Sequence, residues 1–454
     1  MRVSWMLAAA GMVVLLIVLV TLMPPPNVTI TPSFTRSPGY VLVGGQNGTW
    51  FEPGQVPRLF KVFLQNDSVT QLTPVPGQGT VWGGGWNGSQ WVVSGWGTDS
   101  GTFGSNPYIY LYNGERQVVA GSLDQYAPES SWHGGDIFAA SYNGKEWLVS
   151  GMGSALLSPY SDTPVNHMTF GTFNGYNFID LSAMVPVQGL GILYANAWNG
   201  KYWLVGGGFE TAGELFTFDG SKVVNLTPDI ERAIPYFGSV LSIGWNGQYW
   251  LIGGFGFLAK YDGHQFVDLT DKLEAALNPQ NTCCDEVNVN ANVNAIAWNG
   301  SAWMLAGGAP IAQLLPYNAW AATYSSAGFV DLSLPTHIVS GQDSSLLTVA
   351  FLNDSWVLGG YSGEHGLLLW YRDGSFVDLS RLLGDMSYVT WIGGGSYGGS
   401  QAKDSVNSVS AITKSFNVFS AILDLNFIRT IVGLNLATYY PNSVRVDSTV
   451  SMRV

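Results

Sequence analysis

Along most of the chain, short apolar runs alternate with tight polar turns. The most regular run closes on small residues: VLVGG from Val41, WVVSG from Trp91, WLVSG from Trp147, WLVGG from Trp203, WLIGG from Trp250, WMLAG from Trp303 and WVLGG from Trp356. Six of these seven follow a Trp-Asn-Gly-type triplet, centred on Asn87, Asn143, Asn199, Asn246, Asn299 and, in the divergent copy Leu352-Asn353-Asp354, Asn353. Successive asparagines are 56, 56, 47, 53 and 54 residues apart. Asn-Gly between two β-rich runs signals a hairpin, because a type I′ turn needs positive φ at both central positions. Each unit is therefore expected to open with a strand A, a type I′ turn and a strand B.

A second hairpin follows in each unit. Its turns include Tyr112-Asn113-Gly114, Phe173-Asn174-Gly175, Phe218-Asp219-Gly220, Tyr261-Asp262-Gly263 and Arg372-Asp373-Gly374, and a short strand such as Phe266–Thr270 (FVDLT) or Phe376–Ser380 (FVDLS) comes after it. These are strands C and D. Four antiparallel strands in every 50 residues or so make one propeller blade. Strands B, C and D occur seven times, whereas strand A precedes only six triplets. The missing copy stands at the other end, in Tyr388–Gly395, which resembles Thr80–Gly85. The fold class expected is all-β: a seven-bladed β-propeller over residues 40–395, in which a C-terminal strand completes the N-terminal blade and removes exposed sheet edges.

The glycine pair and the aromatic positions of this repeat resemble the kelch and galactose-oxidase-like propellers, although their order and spacing differ. The resemblance covers about residues 40–395 and implies a fold rather than an activity. The Asp-box pattern of sialidases is absent.

The flanks differ from the repeats. Trp5–Met23 is an uncharged run of 19 residues, long enough to span a bilayer as a helix and preceded by Arg2. No A-x-A-like site follows it, so residues 1–23 are expected to be a transmembrane signal anchor rather than a cleaved signal peptide, leaving the bulk of the chain extracellular. Residues 24–39 form a Pro/Ser/Thr-rich linker. Residues 396–454 form a tail whose alternating end favours strands, expected to pack on the propeller or dock a partner.

Charge narrows the functional classes. Only 11% of residues are charged, and 18 basic against 31 acidic residues give a net −13. No Lys/Arg cluster is present, which excludes the phosphate contacts that nucleic-acid binding needs. Cys283 and Cys284 are adjacent, so they form either a vicinal disulfide or two free thiols, and no zinc spacing accompanies them. Seven N-x-[ST] sequons fit an exported chain; four of them, Asn66, Asn87, Asn299 and Asn353, sit in repeated hairpin turns, and Asn27, Asn47, Asn66 and Asn225 are the glycosylation candidates.

The A–B and C–D turns of a propeller share one face, and the B–C and D–A loops share the other. The latter are long here (96–106, 121–135, 152–167, 271–291, 309–318 and 334–345), and loops on a rigid scaffold carry binding residues. The loop-face candidates are His133, Asp136, His167, His337 and Asp343, with Trp132, Tyr160 and Tyr236 as aromatic contacts and Tyr126 and Tyr361 beside them. No metal-ligand spacing joins these groups, so neither metal nor cofactor is expected. Asp180, Asp268, Asp331 and Asp378 recur at one repeat position and are read as structural. No nucleophile-elbow, HExxH, Walker or Rossmann motif occurs. The function expected is a membrane-anchored, non-catalytic recognition or cell-envelope protein that binds glycan, peptide or protein through the loop face. The alternative is an extracellular carbohydrate-active hydrolase or oxidase built from the same loops.

Overall fold

In the computed structural model, the described residues are 40–48, 55–72, 78–98, 106–113, 117–122, 135–156, 164–187, 190–209, 212–277, 292–308, 319–333, 336, 340, 344–352, 355–393, 395–396 and 399–400. The chain divides into two units, residues 1–35 and 36–454, the first wholly outside the described residues. The expected anchor, the linker and Cys283–Cys284 also lie outside them. No described helix is long and apolar enough to cross a membrane.

Seven sheets are present, one per predicted blade: six are four-stranded and antiparallel, and the four antiparallel strands of blade 5 are extended by a short two-stranded segment. Blade 1 contains β1 (Val41–Asn47), β2 (Val56–Phe63) and β3 (Ser68–Leu72); blade 2 contains β4 (Gln78–Trp86), β5 (Trp91–Thr98), β6 (Asn106–Tyr112) and β7 (Gln117–Ser122). Blade 3 is β8 (Asp136–Tyr142), β9 (Trp147–Leu156), β10 (Pro164–Phe173) and β11 (Phe178–Asp180); blade 4 is β12 (Ile192–Trp198), β13 (Trp203–Phe209), β14 (Ala212–Phe218) and β15 (Val223–Asn225), followed by helix α1 (Thr227–Ala233). Blade 5 is β16 (Val240–Trp245), β17 (Trp250–Gly254), β18 (Phe257–Tyr261) and β19 (Phe266–Asp268), followed by α2 (Thr270–Leu277). Blade 6 is β20 (Val293–Trp298), β21 (Trp303–Gly307), β22 (Trp320–Ser325) and β23 (Gly328–Asp331). Blade 7 is β24 (Ser344–Leu352), β25 (Ser355–Ser362), β26 (His365–Arg372) and β27 (Ser375–Asp378).

The predicted closure is present. Strand β28 (Tyr388–Ile392) pairs antiparallel with β1 and supplies the inner strand of blade 1. Its lead-in is tied down by Asp385, which accepts from Arg58 Nε at 2.9 Å and from Asn47 Nδ2 at 2.8 Å. The backbone N–H of Ser387 donates to Gln46 and that of Gly393 to Leu42.

The conserved geometry of each blade starts at the glycine that ends strand B. A Cβ placed on Gly45, Gly95, Gly151, Gly207, Gly254, Gly307 or Gly360 would lie 1.8–2.2 Å from a carbonyl oxygen of its inner strand. No side chain other than hydrogen fits. At the same level every inner strand carries one extra residue, a β-bulge, seen as a register shift in all seven A–B pairs. The preceding small residue has a different role. At Gly44, Gly206, Gly253 and Gly359 a Cβ would lie 2.3–2.6 Å from a valine on the inner strand of the next blade. The small-Gly ending of the repeat thus records two close approaches, one within the blade and one between blades.

Packing follows the same repeat. Seven hydrophobic clusters each join the facing sides of two neighbouring blades. An aromatic ends strand A and pairs with the aromatic that begins strand B, as in Trp86–Trp91, Trp198–Trp203 and Trp298–Trp303, with ring centroids 4.4–5.0 Å apart. The strand D acids are structural as expected. Asp268 Oδ1 accepts the N–H of Thr270, the Thr270 hydroxyl accepts the N–H of Leu258, and Leu269 N–H donates to Leu258 O. Asp378 with Ser380 and Asp180 with Ser182 repeat this knot.

One expectation needs correction. The Asn-Gly turns are not type I′: among the described residues only Asp67 and Asp373 are non-glycine with positive φ. Trp86 pairs directly with Trp91, enclosing a four-residue loop in which only Gly88 has positive φ. Asn87 contributes its side chain instead, its Oδ1 accepting the N–H groups of Ser89 and Gln90 at 2.9 and 2.7 Å. The two-residue turn with positive φ at both positions is Asp373-Gly374, in blade 7. Of the tail, only residues 396, 399 and 400 are described. Backbone segments β29 (Gly395–Ser396) and β30 (Gly399–Ser400) pair with each other, and Gly399 pairs in parallel with Ile243 of β16. The hairpin touches the inner strands of all seven blades, which places it on the propeller axis. Residues from 401 onward lie outside the described ones.

Replacing Gly254 or Gly207 with Ala is expected to cost about 3 kcal/mol, because the clash is with backbone that cannot rotate away. Urea unfolding of the variants measures it, and an unchanged midpoint would refute the account. Truncation after Ser387 is expected to give soluble aggregates in size-exclusion chromatography, since β1 loses its inner partner; a monodisperse monomer would contradict it.

Candidate functional site

The seven bulges aim seven side chains at the axis: Thr390, Trp82, Phe138, Tyr194, Leu241, Asn294 and Leu347 stand at the register shifts of blades 1 to 7. Trp82, Phe138 and Leu347 form one buried cluster, and Tyr194, Trp96 and Tyr361 pack against it. Trp82 and Phe138 rings lie 4.9 Å apart, Phe138 and Tyr194 rings 5.3 Å. The polar members bond between blades: Asn294 Nδ2 donates to Leu346 O at 2.9 Å, and the Thr390 hydroxyl donates to Val81 O. Strand A begins at the loop face, so this cluster floors the channel mouth beneath the long loops.

Asp136 is the first residue of its inner strand and is 7% exposed. Burial pushes its carboxyl up to about 7, and no cation pairs with it among the described residues. Its charge in turn helps burial raise the phenol of Tyr194, to about 12, and that of Tyr108. Tyr108 donates to Thr80 O at 2.9 Å. Glu214, on β14 in blade 4, was not singled out by the sequence. It is 3% exposed and pushed up to about 7, mainly by burial, against the Thr227 hydroxyl bond and with a further push from Glu231. Its Oε1 has no partner among the described residues. A Glu in a strand C that otherwise reads as alternating core was the one signal available.

The predicted constellation is only partly testable. His133, His337, Asp343, Trp132 and Tyr160 lie outside the described residues, as do Tyr126 and Asn27. His167 sits on β10, and its buried Nδ1 has no partner among the described residues. Asp136, Met152 and Met168 share one row across blade 3, and His167 is one residue off that row. Side chains alternate across a sheet, so His167 and Asp136 leave opposite faces of the blade and do not converge. Among the described residues no three His, Cys, Asp or Glu side chains gather into a metal-sized group. Tyr236 is 87% exposed in the loop after α1, as a contact residue requires. Tyr361 is instead tucked into the axial cluster, with its ring 5.2 Å from Tyr388. Asn47, Asn66 and Asn225 are each engaged: Asn47 with Asp385, Asn66 Oδ1 with Ser68, and Asn225 Oδ1 with Thr227.

Exposed large hydrophobics fall mostly into two groups. One is a belt on the outermost strands: Val69, Ile179, Val224, Val267, Val330 and Val377. The other lies on the loop face of blades 3 to 5: Val187 and Leu190 between β11 and β12, Phe209 at the end of β13, and Tyr236 before β16. Leu190 bridges to His167, which draws this loop back over blade 3.

Both raised carboxyls carry a sign. A carboxyl whose folded pKa lies above its unfolded value favours the folded state when protonated. Stability from Asp136 and Glu214 is thus fullest below about pH 4 and is lost as pH rises through the folded value of about 7. Asp136→Asn is expected to flatten its share of the slope and to stabilise the protein above pH 7 by up to about 4 kcal/mol. Urea midpoints from pH 4 to 8 measure this, and parallel curves for both proteins would refute it.

No protein-family model and no curated protein matches the chain. Solved structures that resemble it share little identity with it. A putative 6-phosphogluconolactonase from Bacteroides uniformis has a TM-score of 0.46 at 10% identity, over 78% of this chain and 98% of that one. The β-propeller domain of the Trilobed protease from Pyrococcus furiosus has a TM-score of 0.42 at 10% identity, over 76% and 95%. The acylaminoacyl peptidase of Pyrococcus horikoshii has a TM-score of 0.43 at 7% identity, over 75% of this chain and 50% of that one. No family model supports membership of the kelch family.

Proposed function

We propose that this chain is a non-catalytic recognition protein of the cell surface, held by Trp5–Met23 and binding a peptide or protein segment on its loop face. The observation that carries the reading is the group Val187, Leu190, Phe209 and Tyr236, four apolar side chains exposed on loop-face connections of adjacent blades. Apolar side chains grouped on a polar surface mark interaction sites, and aromatic ones dominate binding energy. The scaffold beneath them is closed and rigid, so a partner orders few residues on docking. The surface is poor in charge, which leaves shape and apolar contact as the main determinants of choice. Glycan ligands enter the same reading through Tyr236, whose open ring offers a stacking face.

A peptide display library and a glycan array, each probed with the full chain, test this. Ligands recovered are expected to bind at least tenfold more weakly to the Phe209→Ser/Tyr236→Ser variant, both positions being exposed and off the core. Ligands indifferent to both substitutions would reject the loop-face site.

Asp136 favours one second reading, an extracellular hydrolase. A carboxyl held near neutrality is suited to exchange a proton with a reacting group. Turnover of nitrophenyl glycosides or esters, lost in Asp136→Asn with an unchanged fold, would establish it; no turnover by the native chain at pH 4 to 8 removes it.

A further inference from the structure

The turn face, opposite the site above, carries a cavity of about 570 Å³ at blade 7, within the size range of small-molecule sites. Its walls include Asn299, Trp356, Trp370, Tyr371, Arg372 and Asp373, with Phe351 and Gln65 at the margins. On this face blade 7 departs from the repeat in its A–B turn, where Trp-Asn-Gly becomes Leu352-Asn353-Asp354. Its C–D loop is the tight Asp373-Gly374 turn, of the same length as the blade 6 loop between Ser325 and Gly328. Trp370 faces Val377 across the ladder, the position held by Thr172, Thr217, Lys260 and Thr323 in blades 3 to 6. The indole packs one side against the blade 7–blade 1 core, and its size leaves a half-buried aromatic surface at the cleft where four other blades carry a smaller or flexible side chain.

From this arrangement we infer that the cleft is a binding subsite for a neutral sugar ring. A pyranose has one face of C–H bonds, which packs on an aromatic surface, and a rim of hydroxyls that each need a donor and an acceptor. The cleft supplies both kinds of contact. Trp370 and Tyr371 give apolar surface, and Arg372, Asp373 and Asn299 give the polar contacts. The Arg372 guanidinium lies 5.3 Å from the Trp370 ring centroid and donates from Nε to Asp373 at 3.0 Å. That pair offers donors and acceptors side by side while cancelling its own charge. Among the described residues no other charged side chain lines the cleft, so they offer an ionic ligand no net counter-charge. The Asn299 side-chain oxygen is taken by the N–H groups of Ser301 and Ala302, which leaves its NH₂ to donate. This subsite is independent of the loop-face reading and shares no residue with it.

The test uses the full chain made in a host without N-glycosylation, because Asn299 is itself a sequon and an attached glycan would reach the same cleft. Maltotriose, cellotriose, mannotriose and chitotriose are titrated by calorimetry and by tryptophan fluorescence up to about 10 mM, a range that reaches weak binding. At least one is expected to bind, with tenfold or greater loss in Trp370→Ala and in Arg372→Met. The second variant alters an exposed side chain outside the core and guards against misfolding of the first. No binding by any of the four would overturn the assignment. Binding that survives both substitutions would also overturn it, and loss only in Phe209→Ser/Tyr236→Ser would move the sugar to the loop face. Tighter binding of trigalacturonic acid than of all four neutral probes would overturn the neutral character of the site.

Discussion

The fold depends on one steric constraint repeated seven times: a strand B glycine lies so close to a carbonyl of its inner strand that a methyl group cannot fit. Opposite that contact the inner strand takes in an extra residue and turns it toward the axis. The contact therefore sets how near the two strands approach, where the bulge sits and which side chain faces the channel. The neighbouring small residue lets the next blade close in, and the aromatic pair at the turn fills the wider rim. Radial spacing, blade contact and axial lining all follow from five residues of sequence.

That is also why the architecture was legible in the chain. The blade count, the four strands of each blade and the closing role of Tyr388–Ile392 can be read from repetition, because each unit needs the same small residues in the same places. The meaning of individual residues was less legible. Asn87 looked like a residue chosen for left-handed backbone, yet it serves as a side-chain acceptor; dipeptide identity does not distinguish these two uses. The hairpin at Gly395–Ser400 has no apolar pattern to announce it, since it is held by backbone bonds inside the ring. Of the candidate residues, Asp136 and Tyr236 could be picked out from their loop-face positions, whereas Glu214 was hidden in a core strand. That Asp136 and His167 leave opposite faces of blade 3 follows from a one-residue offset between rows, which sequence distance does not show.

The two buried carboxyls and the sparsely charged surface point the same way. A surface with few carboxylates loses few ion pairs when pH falls, and the interior groups gain from protonation. The counterweight is Asp385, which the Arg58 hydrogen bond holds below the usual carboxylate range, and whose tie across the closure weakens in acid. Asp219 and Asp262 are lowered as well, by the backbone N–H groups they accept. Acid tolerance is thus limited by turn and closure contacts rather than by the core.

The closing strand has a mechanical consequence. β1 is flanked by β28 on one edge and β2 on the other, so a pull arriving at Tyr40 meets two ladders at once. A strand with one partner peels away as a free edge; β1 can leave only by parting β28 as well as β2. Tension arriving at Tyr40 would be shared with a strand from the other end of the repeats, and the ring would resist it through both ladders.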